Sequence, residues 1–249
     1  MDDMISLHST GDEQESRQIR LVTADPPSDL PYADFEDFRA KELLKINGFS
    51  LTEEALLPVL DDEEEAFQSA AARTLGSLGS AAAIPALEKL AARADDLVKA
   101  DAAYALTRLG KAEQRDVLKA CLNYPVNAYL CPSVAAGYLA RLGDPEGFPV
   151  IGKCFDVDNL IVRLAACKQL YFFAPFHDTA DSDGEPLDVF AQFDRALRDP
   201  HTDIHWTALV QLREMWSPEV KSILNAYVAS APNGQLRDAA QRILDKTEK

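Results

Sequence analysis

Six leucines recur along the chain at nearly constant spacing: Leu75, Leu106, Leu139, Leu170, Leu212 and Leu244. The intervals are 31, 33, 31, 42 and 32 residues. Alanine stands four residues before each one, at Ala71, Ala102, Ala135, Ala166, Ala208 and Ala240. Eight residues before stands an apolar residue: Phe67, Val98, Cys131, Val162, Ile204 and Leu236. Positions −8, −4 and 0 lie along one stripe of an α-helix. The small residue at −4 lets a neighbouring helix approach closely there. A period of this length constrains the fold more than composition does. One such unit is too small to bury its own apolar face, so it must stack on its neighbours.

Each of these helices, here called B, follows a second amphipathic segment, A. The A segments are Thr52–Leu60, Ala82–Ala92, Glu113–Leu122, Glu146–Phe155, Leu187–Leu197 and Glu219–Ala229. Short polar turns separate A from B, among them Asp61-Asp62, Ala94-Asp95-Asp96, Asp156-Val157-Asp158 and Asp199-Pro200-His201. Asp and Asn at these places satisfy the free N–H groups that open helix B. Leu78-Gly79, Leu109-Gly110 and Leu142-Gly143 place glycine where three B helices end in a left-handed cap.

The strings VRLAACKQL (162–170), LRDAAQRIL (236–244), VKADAAYAL (98–106) and AAARTLGSLG (70–79) resemble the B helix of HEAT-like repeats of the PBS-lyase type. The resemblance covers residues 51–246 and implies an all-α solenoid of about six stacked hairpins, with A helices on the convex side and B helices on the concave side. It is specific for architecture and unspecific for function. Members of the class are mostly protein-binding scaffolds without catalysis. Some resemble bacterial immunity or adaptor proteins, some are chromophore-lyase subunits and a few bind damaged DNA. One enzyme group uses iron and is marked by repeated His-Glu dipeptides, which this sequence lacks.

Outside the repeats, Asp34–Asn47 reads as one more helix within a capping segment at 32–50. Residues 1–31 form an acidic extension with two open readings, a disordered arm or one short strand around Ile19–Thr23. The fourth interval, Leu170 to Leu212, is about ten residues longer than its neighbours, and the excess falls at 174–185. Phe173, Phe176 and His177 are expected to fold back onto the stack, leaving the acidic tip at Asp181–Glu185 exposed.

The net charge is −16, unevenly spread. Residues 1–65 hold 18 Asp/Glu against 5 Lys/Arg, and residues 66–249 hold 23 against 20. This balance disfavours non-specific nucleic-acid binding, which needs basic surface to displace phosphate counterions. It favours encounter with a basic partner, such as a toxin or nuclease.

Three surfaces are candidates for a partner protein. On the helical wheel, positions −6, −2, +1 and +2 of helix B face away from the core stripe. They carry Arg73, Tyr104, Gly137, Lys168, Val210 and Arg242, then Thr107, Arg108, Arg141, Tyr171, Phe172 and Arg213, with Trp206 at −6. Arginine and aromatics are enriched at protein interfaces, although a cation in the last turn of a helix is also favoured by the macrodipole alone. The second surface is the edge of A–B turns. There the run Asp61, Asp62, Glu63, Glu64 and Glu65 exceeds what capping requires, and it reads either as a solvated helix start or as a basic-partner contact. The third is the insertion, with Asp181 and Asp183.

Chemistry is sparse. His201, Asp203 and His205 form H-x-D-x-H, the best metal candidate, but Asp203 also suits a helix start, and no metal or cofactor is expected. Neither a P-loop nor a G-x-S-x-G or G-x-G-x-x-G motif is present. Cys121, Cys131, Cys154 and Cys167 form no C-x-x-C pair and read as reduced core thiols. No stretch approaches the ~20 apolar residues of a membrane span. The first residues lack a basic and apolar leader, so a cytoplasmic location is expected.

Overall fold

Every −8, −4 and 0 residue of the leucine stripe is buried in the computed structural model. The structure describes residues 19–20, 27, 29–93, 96–127, 130–180 and 184–247. Among the described residues it is all-α, with thirteen α-helices and a single isolated β-bridge, Ala180 to Pro186. The helices are α1 (Phe35–Ile46), α2 (Glu53–Leu56), α3 (Glu65–Leu78), α4 (Ile84–Arg93), α5 (Asp96–Arg108), α6 (Gln114–Cys121), α7 (Cys131–Arg141), α8 (Phe148–Phe155), α9 (Leu160–Phe173), α10 (Val189–Ala196), α11 (Thr202–Leu212), α12 (Pro218–Ser230) and α13 (Gly234–Thr247). The B helices are α3, α5, α7, α9, α11 and α13, and the A segments are α2 and the even-numbered helices α4 to α12.

The first A segment departs from one continuous helix. It is the single turn α2 followed by a 3₁₀ turn at Pro58–Asp61. Pro58 brings no N–H to the ladder and its ring clashes with the preceding turn, so the α-helix ends before it. The glycine caps form as expected: Gly79, Gly110 and Gly143 have φ of 72°, 94° and 84°.

The chain divides into two units. One comprises Met1–Leu30 and Asp34–Ala112. Within it α3 packs between α1 and α5, and α4 lies along α5. Leu44, Leu56, Leu60, Phe67, Leu75, Leu87, Leu90 and Leu106 form its core. A Cβ added to Gly76 would sit 2.8 Å from Ala105 Cα, so the close crossing of α3 over α5 requires glycine. Ile19 packs on the core edge. The Asn47 side chain accepts from the Arg20 N–H at 3.0 Å and donates to its carbonyl at 2.9 Å. The strand hinted at beyond it, Leu21–Thr23, lies outside the described residues.

The other unit comprises Pro31–Ala33 and Glu113–Lys249. Its hairpins pair α6 with α7, α8 with α9, α10 with α11 and α12 with α13. The B helices stack in order, α7 on α9, α9 on α11 and α11 on α13. A hydrogen-bonded splice joins α9 to α11. Gln211, fully buried, donates from Nε2 to the Cys167 carbonyl at 2.9 Å and accepts at Oε1 from the Tyr171 N–H at 2.8 Å. Those are the two backbone groups that an uninterrupted helix pairs with each other.

The insertion folds back. Phe173 is buried, Phe176 and His177 are half-buried, and the His177 ring stands edge-on to Phe190 at 4.6 Å. The loop is closed by Asp178 N–H donating to the Leu187 carbonyl at 3.2 Å and Leu187 N–H donating to Thr179 at 2.8 Å. Gly184 and Glu185 are exposed. Asp181 and Asp183 lie outside the described residues.

Candidate protein-interaction surface

Around α3 and α5, the B-helix face meets the first turn of α1. Arg73 lies 3.5 Å from Glu36, 3.5 Å from Asp37 and 4.0 Å from Asp101. Arg108 pairs with Asp37 at 3.1 Å, and its guanidinium lies 5.7 Å from the centre of the Tyr104 ring. Tyr104 is buried rather than outward-facing, a correction to the helical-wheel expectation. The wheel assumes a bare helix and does not count the neighbours that cover position −2.

In the unit containing α6 to α13, the B helices carry an aromatic cluster of their own. Arg141 stacks over the Phe172 ring at 3.9 Å. Tyr171 lies 5.2 Å from the ring of Tyr32, and Phe172 lies 6.3 Å from it. The Tyr32 hydroxyl donates to the Lys168 carbonyl at 3.0 Å. Its backbone N–H donates to both oxygens of the Glu214 carboxylate, at 2.9 and 3.1 Å. Tyr32 is buried by these contacts. Neither Tyr32 nor Glu214 stands out in the sequence, because nothing periodic marks a contact between a turn near the N-terminus and the fifth B helix.

Gly137, expected to face outward, is covered by Gln169: a Cβ there would fall 2.0 Å from Gln169 Oε1. Trp206 does face outward, at 39% exposure. Val210 is half-buried and Arg213 exposed, the latter 3.5 Å from Glu214. Trp206, Val210 and Arg213 follow the i, i+4, i+7 spacing of one helix face. Trp216, just beyond α11, is 42% exposed and was not marked by the repeat. Thr107 is half-buried and Arg242 exposed.

Along the A–B edge, several acids tie one repeat to the next. Asp61 pairs with Arg93 at 2.8 Å and with Lys89 at 3.4 Å, and Arg93 also donates to the Leu60 carbonyl at 2.5 Å. Arg195 repeats the device, donating to Asp156 at 2.5 Å and to the Gly152 carbonyl at 3.2 Å. In each case an A-helix cation meets the last carbonyls of the preceding A segment, where the helix dipole favours positive charge. Asp62 accepts from the Glu64 N–H at 3.0 Å just before α3 opens. Glu63 and Glu65 are exposed and Glu64 is half-buried. Asp199, with Arg163, forms a buried ion pair at 2.7 Å rather than a helix cap. The cap of α9 comes from Asn159 rather than from Asp156 or Asp158 in the turn before it, and Asn159 accepts from the Ile161 and Val162 N–H groups. A cleft of about 580 Å³ opens beside this pair, with Asp156, Asp158, Asp194, Arg195, Arg198 and His201 on its walls.

The H-x-D-x-H residues are not brought together as ligands. His205 is buried, with Nδ1 2.7 Å from the Tyr227 hydroxyl and Nε2 2.6 Å from the Asp199 carbonyl. A carbonyl only accepts, so Nε2 carries the proton and Tyr227 donates to Nδ1. Both nitrogens are engaged internally, while His201 and Asp203 are exposed. Burial pushes the Tyr227 phenol up to about 12. Among the described residues, no cluster of three or more His, Cys, Asp or Glu is placed to hold a metal. The four cysteines are reduced thiols and are buried. Burial raises the Cys154 thiol to about 11, and burial followed by the nearby Asp199 carboxylate raises Cys167 further.

A family model of HEAT repeats matches residues 53–130. A search of curated proteins found no match. Among the described residues no helix is long and apolar enough to cross a membrane.

Proposed function

We propose that this chain of HEAT-like repeats is a non-catalytic scaffold that holds a partner protein against its B-helix face. One observation carries the reading: that face already holds polypeptide. Tyr32 is seated against Tyr171, Phe172, the Lys168 carbonyl and Glu214. A stripe of exposed Trp206, half-buried Val210 and exposed Arg213 continues along the adjoining B helix and its C-terminal end. Desolvated aromatic and arginine anchors of this kind dominate the affinity of protein interfaces.

In its concrete form the scaffold is a bacterial immunity or adaptor protein of the reducing cytoplasm that occludes a toxin or enzyme. Net charge supports this, because an acidic inhibitor is drawn to a basic nuclease. The exposed Glu63 and Glu65 at the start of α3 are available for such a contact. The scaffold role is tested by capture from the lysate of the native host, comparing the wild-type chain with Trp206→Ala/Arg213→Glu. The captured protein is expected to be lost, because anchor truncations cost ~2 kcal/mol or more each. Undiminished capture with retained helical content would sink the face assignment.

A further inference from the structure

Tyr32 is held in the manner of a bound residue. Its side chain is buried, yet Pro31 before it and Asp34 after it are exposed. It sits in a three-residue 3₁₀ turn, Tyr32–Asp34, outside the repeat helices. Its hydrogen-bond partners lie 136 and 182 residues away in sequence. Among the described residues before 113, Pro31–Ala33 alone groups with the unit of Glu113–Lys249. The seat offers two aromatic rings, one backbone acceptor for a hydroxyl and one carboxylate for a peptide N–H. In sequence, Asp29 and Asp34 flank the occupant; Arg213, beside Glu214, and Lys168 belong to the segments that form the seat.

We propose that the Tyr32 seat is the anchor pocket of the interaction face, filled in the partner-free chain by the chain's own N-terminal segment. The partner displaces that segment by presenting an aromatic residue, preferably tyrosine, on an acidic stretch. This rests on the scaffold reading above. Tyrosine is preferred over phenylalanine because the Lys168 carbonyl, once desolvated, needs a donor. Proline is excluded at the anchor, since the Glu214 carboxylate takes a backbone N–H. The resident segment lowers the apparent affinity of the partner by the fraction of seats that are open.

The test uses the full chain and a labelled peptide of residues 28–37, SDLPYADFED, followed by fluorescence anisotropy. Emptying the seat with Tyr32→Ala is expected to tighten peptide binding by about tenfold or more over wild type. The same peptide carrying Tyr32→Ala is expected to bind neither protein. Chain variant Tyr32→Phe keeps the ring, loses only the hydroxyl donor, and is expected to fall between. Equal binding to wild type and Tyr32→Ala, or binding to neither, overturns the proposal. So does loss of helical circular dichroism in Tyr32→Ala, which would make Tyr32 a core residue. If the peptide binds but capture from the lysate survives Trp206→Ala/Arg213→Glu, the seat stands and the wider face assignment fails. If that capture is lost but the peptide does not bind, the reverse holds.

Discussion

Arg163 and Asp199 form an ion pair enclosed within the repeats, with side chains only 8% and 5% exposed. Arg163 also donates to the Val157 carbonyl at 2.9 Å, and Asp199 also accepts from the His201 N–H at 2.9 Å. Removing one partner strands the other charge away from water. Arg163→Met is therefore expected to cost ~3–5 kcal/mol in chemical denaturation, and Arg163→Met/Asp199→Leu to recover much of that loss. A double variant no more stable than the single one would show that the backbone contacts, not the charge, dominate. Gly147 makes a second residue-scale case. A Cβ there would lie 2.5 Å from Ala136 Cα. Gly147→Ala forces the turn before α8 away from α7 and is expected to cost about 1–3 kcal/mol, read as a lowered Tm.

At the scale of elements, α11 and α12 are tied through the His205–Tyr227 hydrogen bond. The tie carries a pH signature. Unfolded tyrosine ionises near 10, whereas the folded Tyr227 phenol is held up to about 12. The contribution of the neutral phenol is fully present below pH ~10 and is lost as pH rises toward ~12. Tyr227→Phe is expected to lack that alkaline loss and to be less stable than wild type at neutral pH by about 1 kcal/mol for the missing hydrogen bond. Parallel stability curves for the two proteins between pH 9 and 12 would rule out Tyr227 as the titrating group. The elements were legible in the sequence because buried leucine, alanine and −8 positions recur with the helical period. Two details escaped that pattern. The first A segment breaks at Pro58, where a local backbone rule overrides the apolar spacing. Asp199 reads as a cap by its neighbours, yet its partner Arg163 lies 36 residues back.

For the whole molecule, sequence charge and structure meet at the N-terminal quarter. In the sequence an acidic first segment and a basic B-helix face stand side by side with nothing to connect them. The structure connects part of them: Glu36 and Asp37 of α1 neutralise Arg73 and Arg108. Composition reveals the imbalance but not its destination, because the pairs are fixed by the way α1 packs on α3. Tyr32 was illegible for the same reason, since a single side chain in a turn carries no period. The thiols give a reading of global unfolding. All four cysteines are buried, and Cys154 ionises only near 11. A disulfide-exchange reagent at neutral pH is expected to label all four thiols only as fast as the chain opens, and promptly in denaturant. Rapid labelling of the folded protein would contradict the burial of these sites.

The Gln211 splice gives one backbone amide an unusual meaning. Inside an ordinary helix, deuterium replaces an amide proton when that helix unwinds. The Tyr171 proton is held by a side chain of another helix. Its exchange therefore requires α9 to part from α11, in addition to any unwinding of α9 itself. In a spectrum of the folded chain, Tyr171 is a resident gauge of whether two neighbouring repeats are docked.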